Sequence, residues 1–263
     1  MDQVALVTGG SSGIGLAAAQ ALSDAGYRVY ALSRHGGNLP GINHLAADVT
    51  DISQVSASIN KIMADCGRID VVVNCAGFGI SGAIEFTEAD DAKRLFDVDF
   101  FGMVNVNNAA IPLMRKAGGG HIINVSSVAA PAAIPFQAYY SCAKAAVNDY
   151  TCALANELRP FHIGVCAVMP GDIKTGFTAA REKLHRGDDV YGGRIGRSVA
   201  KMEQDEQTGM KPETAGEFIC RIAGKKRVKP LYTIGFQYQC ITFLLKILPC
   251  GFVNRMISKL YIS

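Results

Sequence analysis

The run Val4-Ala5-Leu6-Val7-Thr8-Gly9-Gly10-Ser11-Ser12-Gly13-Ile14-Gly15 decides the architecture. Its opening residues are apolar and β-leaning, and an unbroken apolar run of this kind suits a strand covered on both faces. Glycines follow at once, and Leu16 to Asp24 then reads as a helix of good formers closed by Gly26. A glycine-rich turn between a strand and a helix lets backbone N–H groups close on a pyrophosphate held at the helix N-terminus. Gly9, Gly13 and Gly15 are placed for that task, Ile14 lies between the last two, and Ser11 and Ser12 add hydroxyl donors. No Gly-Lys-Ser/Thr follows, which excludes a P-loop.

Outward from this turn the same alternation repeats. Arg28 to Leu32, Asn43 to Ala47, Asp70 to Asn74, His121 to Val125, Ile163 to Val168 and Leu231 to Ile234 read as strands. Between them Ile52 to Asp65, Ala89 to Ala117, Ala138 to Arg159 and Pro212 to Ala223 read as helices, with Pro112 marking a break or kink near the end of the second. Strand and helix alternating throughout predict an α/β fold, a Rossmann-type doubly wound parallel sheet. Residues 1–235 form its single domain. Residues 176–211, rich in glycine and charge with no clean period, read as a long mobile insertion or lid. Residues 236–263 are an apolar extension centred on Ile241 to Leu248, read as a core or subunit-contact helix, with docking on a membrane surface as the sharper alternative.

Composition narrows the function classes. A hydrophobic content of 49% against 19% charge excludes a disordered chain. With 26 Lys+Arg against 23 Asp+Glu, dispersed along the chain, no basic stripe points to nucleic acid. None of the eight cysteines forms a C-x-x-C pair, the five histidines form no ligand set, and Met1-Asp2-Gln3 leads directly into the first strand. No metal and no disulfide framework are therefore expected, and a reducing cytoplasm is the expected compartment. No stretch approaches the length of a membrane span.

Two local patterns carry chemistry. At the end of the second strand, a carboxylate would accept from a ribose 2′-hydroxyl and repel a 2′-phosphate. This chain has Ser33-Arg34 there, followed by His35. A guanidinium can hold a phosphate through paired hydrogen bonds, and Ser33 is short enough not to intrude, so the cofactor is expected to be NADP(H). Farther along, Tyr140 and Lys144 stand four residues apart on a helix and so share one face. An ammonium near a phenol favours phenolate and suits Tyr140 to exchange a proton with an alcohol or ketone oxygen. Ser127 follows the strand that precedes this helix, and Pro170-Gly171 follows the next strand. Ligands bind at such carboxyl ends in open α/β sheets.

Taken together, Thr8-Gly9-x-x-x-Gly13-Ile14-Gly15, Asn74-Cys75-Ala76-Gly77, Ser127, Tyr140-x-x-x-Lys144 and Pro170-Gly171 resemble the motifs of the short-chain dehydrogenase/reductase family, in order and spacing, over about the first 235 residues. The resemblance implies that Tyr140 is the acid/base, that Ser127 orients and polarises the substrate oxygen, and that Lys144 holds the nicotinamide ribose and tunes Tyr140. It also implies that Asp48 and Val49 meet the adenine, that Asn74, Ala76 and Gly77 line the cofactor, and that Pro170, Gly171, Ile173 and Thr175 flank the nicotinamide. A homodimer or homotetramer is implied in the same way. The chain departs from the family at Cys75, where a second Asn is usual, and at Asp99, where the family's catalytic Asn is expected. A carboxylate there would compete for the charge of Lys144 and weaken the depression of the Tyr140 pKa, slowing the reaction or shifting its pH optimum.

The expected activity is NADP(H)-dependent interconversion of a ketone and a secondary alcohol. Phe78, Ile134, Phe136 and Phe177 are the candidate substrate contacts; with the apolar extension they point to a hydrophobic steroid- or lipid-like substrate. The motifs and Arg34 resemble the NADP-using hydroxysteroid dehydrogenases of the family. Two rivals stand beside this reading. Lys225, Lys226, Arg227 and Lys229 would dock an acidic acyl carrier, making the chain a 3-oxoacyl reductase. A regulator that binds NADPH without turnover is the other, and Asp99 leaves it open.

Overall fold

Every residue of Val4–Thr8, the first strand (β1), is buried. That burial is the physical counterpart of its unbroken apolar run, because neighbours cover it on both edges and helices cover both faces. The computed structural model describes residues 2–36 and 40–262. Met1 and Ser263, the outermost residues of the expected domain and extension, lie outside them.

Strand β1 leads into α1 (Gly13–Asp24), then β2 (Arg28–Ser33), β3 (Ile42–Ala46), α2 (Ile52–Cys66) and β4 (Val71–Asn74). The second half runs through α3 (Ala89–Phe96), α4 (Met103–Lys116), β5 (Gly120–Val125), α5 (Ala138–Glu157), β6 (Ile163–Met169), α6 (Arg194–Thr208), α7 (Pro212–Ala223) and β7 (Leu231–Thr233). These seven strands form one parallel sheet in the order β3-β2-β1-β4-β5-β6-β7. The doubly wound α/β expectation holds. Strand order reverses between β1 and β4, so the crossovers diverge there and open a crevice beyond the register pair Thr8 and Asn74.

Two apolar layers sandwich the sheet. On one face Val55, Ile59 and Ile62 of α2, Val106, Ala110 and Met114 of α4 and Leu154 of α5 pack against Leu6, Val72 and Ile122. On the other, Ala18, Ala19 and Leu22 of α1 meet Ala215, Ile219 and Ile222 of α7 over Ala5, Val7 and Val73. Asp51 starts α2 by accepting from the N–H groups of Ser53 and Gln54, and Gly67 closes it in the left-handed region at φ 72°.

Three segments differ from their sequence readings. The expected long helix from Ala89 runs on through Pro112, which sits inside α4. Its irregularity lies earlier, as a π-helical turn over Asp97–Gly102 between α3 and α4. Residues 176–211 hold regular elements although their sequence shows no clean period. A short helix at Phe177–Ala180 leads to a two-residue strand, Glu182–Lys183, which pairs with Ile80–Ser81, and α6 follows. Helix α6 buries Ile195, Ser198, Val199 and Met202, a helical period that its flanking charges hide in the sequence. The extension forms two helices, α8 (Phe236–Ile247) and α9 (Cys250–Tyr261), broken at Leu248-Pro249. Among the described residues no helix is long and apolar enough to cross a membrane.

Candidate active site

The crevice at the carboxyl ends of the strands is a cavity of about 950 Å3. Thr8 closes its floor: the Thr8 hydroxyl oxygen accepts from the N–H groups of Cys75 at 3.1 Å and Ala76 at 3.2 Å, tying the ends of β1 and β4 together. Gly9, Ser11, Ser12, Gly13, Ile14 and Gly15 line one end of it. A Cβ on Gly15 would stand 2.3 Å from the Gly9 carbonyl oxygen, and Gly9 itself has φ +64°. Only glycine permits this close turn, which leaves the first N–H groups of α1 facing the cavity. Such a cradle fits the pyrophosphate of a dinucleotide.

Ser33, Arg34, Asp48 and Val49 line the far end of the same cavity. Ser33 is held in place, since its hydroxyl donates to the His35 carbonyl and pairs with His44 Nε2, both at 2.9 Å. Arg34 is exposed beside it. At the other end lie Ser127, Tyr140, Lys144, Pro170, Gly171 and Ile173, with Phe78, Ile134 and Phe177 as apolar walls.

Helix α5 carries Tyr140 and Lys144 to this point, and the Ser126 hydroxyl anchors it by donating to the Lys144 carbonyl at 3.0 Å. The Lys144 ammonium lies 5.5 Å from the centre of the Tyr140 ring, 3.3 Å from the Val125 carbonyl and 2.9 Å from Asp99 Oδ2. Asp99 is buried, and its other oxygen accepts from the Phe78 N–H at 2.9 Å. The π-helical turn brings it there: its wider backbone turn aims Asp99 beneath the loop after β4. Gly77 has to be small for the same reason, since a Cβ on it would lie 2.8 Å from the Asp99 carboxylate.

The electrostatics of this group follow from burial. Burial raises the Tyr140 phenol above its ordinary pKa; Lys144 opposes the rise, Asp99 adds to it, and the Ser127 hydrogen bond and Arg181 oppose it. Burial also raises the Asp99 carboxyl, against the pull of Lys144. For Lys144, burial works downward, and Asp99 and Tyr140 outweigh it, so its pKa ends above the ordinary amine value. The expected lowering of Tyr140 by Lys144 is therefore present but overridden. At neutral pH the phenol keeps its proton, the form that donates to a developing alkoxide. Cys75, pushed up to about 12 by burial, offers no thiolate.

Four of the predicted residues lie elsewhere. Asn74 is buried beneath the cavity, donating to Asn107 at 2.8 Å and Asn124 at 2.9 Å, while Asn124 donates to Thr151 at 2.9 Å. It braces β4 against β5 and α4, and its neighbours Cys75, Ala76 and Gly77 line the cavity in its stead. Asp99 lies outside the lining, paired with Lys144. Thr175 sits behind Gly13, its hydroxyl accepting from the Phe177 N–H at 3.1 Å. Phe136 turns away at φ 58° and packs with Ala83, Ile195, Val199 and Tyr191. Gln137 takes its place at the wall.

Sequence reasoning missed other lining groups. Arg94 and Glu182 reach the wall as an ion pair at 2.5 Å. Glu206 accepts from Thr178 at 2.6 Å and pairs with the buried Arg181, which lies 5.5 Å from the Phe177 ring. The largest omission is the extension: Ile241, Leu244, Leu245 and Leu248 of α8 and its end, and Val253, Met256, Ile257 and Leu260 of α9, wall the cavity. Their apolar spacing was visible, but nothing in the sequence says which surface a terminal amphipathic helix meets. Tyr238 fixes α8 by donating to Asp172 at 2.6 Å. The basic run Lys225 to Lys229 precedes β7 and so lies at the amino ends of the strands, across the sheet from the cavity.

Comparison with known proteins now decides the family, because residues 3–185 match the family described as short chain dehydrogenase. The chain belongs to the short-chain dehydrogenases. This dehydrogenase is 40% identical over 243 residues to a 3-ketodihydrosphingosine reductase of Bacteroides thetaiotaomicron, covering 89% of this chain and 90% of that one. A crystal structure of a short-chain dehydrogenase from Streptomyces avermitilis superposes with a TM-score of 0.82 at 28% identity, covering 99% of this chain and 95% of the other. The structure of ElxO with NADP bound aligns at a TM-score of 0.77 and 27% identity, over 91% of this chain and 100% of that one. The dehydrogenase is thus an oxidoreductase acting on CH–OH and C=O groups with a nicotinamide dinucleotide.

Proposed function

We propose that this short-chain dehydrogenase uses NADPH to reduce a ketone on a long-chain, lipid-like substrate. One observation carries the reading: Tyr140, Ser127 and Lys144, the last paired with Asp99, line a cavity that aliphatic side chains from α8 and α9 also line. An apolar wall of this kind favours a substrate with a hydrocarbon chain over a sugar or a small polar ketone. The relative that reduces 3-ketodihydrosphingosine, a lipid ketone by its name, supports the same class. The acyl-carrier alternative is disfavoured, because the basic run lies at the opposite end of the sheet.

When bound, the dinucleotide supplies the hydride that reaches the carbonyl carbon. Ser127 and Tyr140 hold the carbonyl oxygen between their hydroxyls. Tyr140 gives its proton to that oxygen as charge builds there, and burial keeps the phenol protonated until that moment. Lys144 lies near enough to stabilise the phenolate left behind, with Asp99 holding the ammonium in place.

The reading is tested by following NADPH loss against a panel of long-chain 3-ketones, steroid ketones and carrier-bound 3-oxoacyl chains. Turnover is expected to be highest with the long-chain 3-ketones. NADPH binding without turnover on any member of the panel would replace the enzyme reading with the regulator.

Cofactor preference rests on Arg34. A hydrogen bond to a charged group contributes about 1.5–3 kcal/mol. Arg34→Ala is therefore expected to raise the KM for NADPH by about tenfold to a hundredfold. The KM for NADH should stay where it was. Equal KM changes for the two cofactors would remove Arg34 from 2′-phosphate recognition.

A further inference from the structure

Helices α8 and α9 carry a second apolar surface that the cavity does not use. Between residues 243 and 260 only Leu245, Leu248, Val253 and Ile257 are partly buried, and all four line the cavity. The remainder of that stretch is exposed, including Phe243 at 62%, Ile247 at 61% and Phe252 at 53%. Four residues belong to both surfaces: Ile241, Leu244, Met256 and Leu260 line the cavity and are also exposed. These four residues link the exposed apolar surface of the two helices to the cavity.

The charges on this segment have one sign. From Phe236 to Ile262 there is no Asp or Glu, whereas Lys246, Arg255 and Lys259 stand among the apolar residues. The two ends are fastened to the body, at Tyr238 by its bond to Asp172 and at Ile262 against the cluster of Ala83, Phe136 and Ile195. The bend at Leu248-Pro249-Cys250 lies between these anchors. Aromatic and aliphatic side chains interspersed with cations and free of anions match the chemistry of a bilayer surface that bears anionic headgroups. A second copy of this cationic segment would bring like charges together.

We infer that the α8–α9 segment docks on an anionic lipid bilayer, with Phe243, Ile247 and Phe252 inserted, and that a single-chain lipid passes from the bilayer along Ile241, Leu244, Met256 and Leu260 to Tyr140. The docking stands on the exposed face and its charge; the passage of substrate also rests on the reductase reading.

The test is flotation of the full chain with phosphatidylcholine vesicles, with and without phosphatidylglycerol. It is run alongside two reductions, of a water-soluble short-chain 3-ketoester and of a long-chain 3-ketone held in the vesicles. The wild type is expected to float with the anionic vesicles. The triple variant Phe243→Glu, Ile247→Glu, Phe252→Glu is expected to lose at least about tenfold of that binding. It should also lose the vesicle-borne reduction while keeping the short ketoester rate, which reports that it is folded. Lys246→Gln with Arg255→Gln should reduce the preference for phosphatidylglycerol without touching the ketoester rate. Absence of wild-type binding, or equal binding by the triple variant, overturns the docking. So does a wild-type oligomer that the triple variant dissociates while neither protein floats. Flotation with no ketone reduced would instead overturn the reductase reading and leave the docking intact.

Discussion

Replacing Tyr140 by phenylalanine is expected to lower turnover by about a hundredfold to ten-thousandfold, the range a positioned acid or base contributes. The substitution removes one hydroxyl from a buried ring that keeps its packing on Phe177, centre to centre 5.7 Å. Denaturant unfolding should therefore change by no more than about 1 kcal/mol, the net value of one hydrogen bond. A chemical loss with little structural loss separates proton donation from packing. Turnover within a factor of a few of the wild type would remove Tyr140 from the chemistry.

The second large effect concerns Asp99. Asp99→Ala would leave the Lys144 ammonium buried without its counter-charge, and breaking a buried pair in this way costs about 3–5 kcal/mol. Lys144 has its folded pKa above the ordinary one, so the stability it gains from the pair is fully present at neutral pH. That gain is lost only as pH rises through the folded value. Denaturant unfolding at neutral pH is therefore the measurement, and a loss below about 1 kcal/mol would show that water already solvates Lys144. Asp99→Asn preserves the shape and an acceptor for the Phe78 N–H, and it changes the pH profile instead. Ketone reduction needs Tyr140 protonated, so its rate falls as pH rises through the Tyr140 pKa. Asp99 is one of the groups that raise that pKa. Its neutralisation should move the alkaline limb of reduction to lower pH. An unmoved limb would deny Asp99 an electrostatic role; a limb moved upward would mean that Lys144 had shed its proton in the variant.

These two residues also mark how far sequence reasoning reached. Tyr140 and Lys144 were readable because helical spacing alone puts positions four apart on one face. The close turn at Gly9 and Gly15 was readable because a strand, small residues and a helix follow one another without a gap. Asp99 was visible only as a departure from a family pattern. Its burial against Lys144 depends on a π-helical turn, in which the hydrogen-bond ladder slips by one residue, and no side-chain period records such a slip. Phe136 lies outside the cavity lining for a related reason: its left-handed backbone turns the ring toward α6, a helix that its own charges concealed.

The sequence by itself determined the parallel α/β sheet, the dinucleotide cradle, the Ser33-Arg34 strand end and the Tyr140–Lys144 face. All of these follow from local periodicity or from residues within a few positions of each other. Only the tertiary structure decided that Asp99 lies under Lys144, that Asn74 braces the floor and that α8 and α9 wall the cavity. Those are contacts between segments far apart in the chain, set by which apolar faces meet when the layers close on the sheet, and one-dimensional spacing does not carry that information.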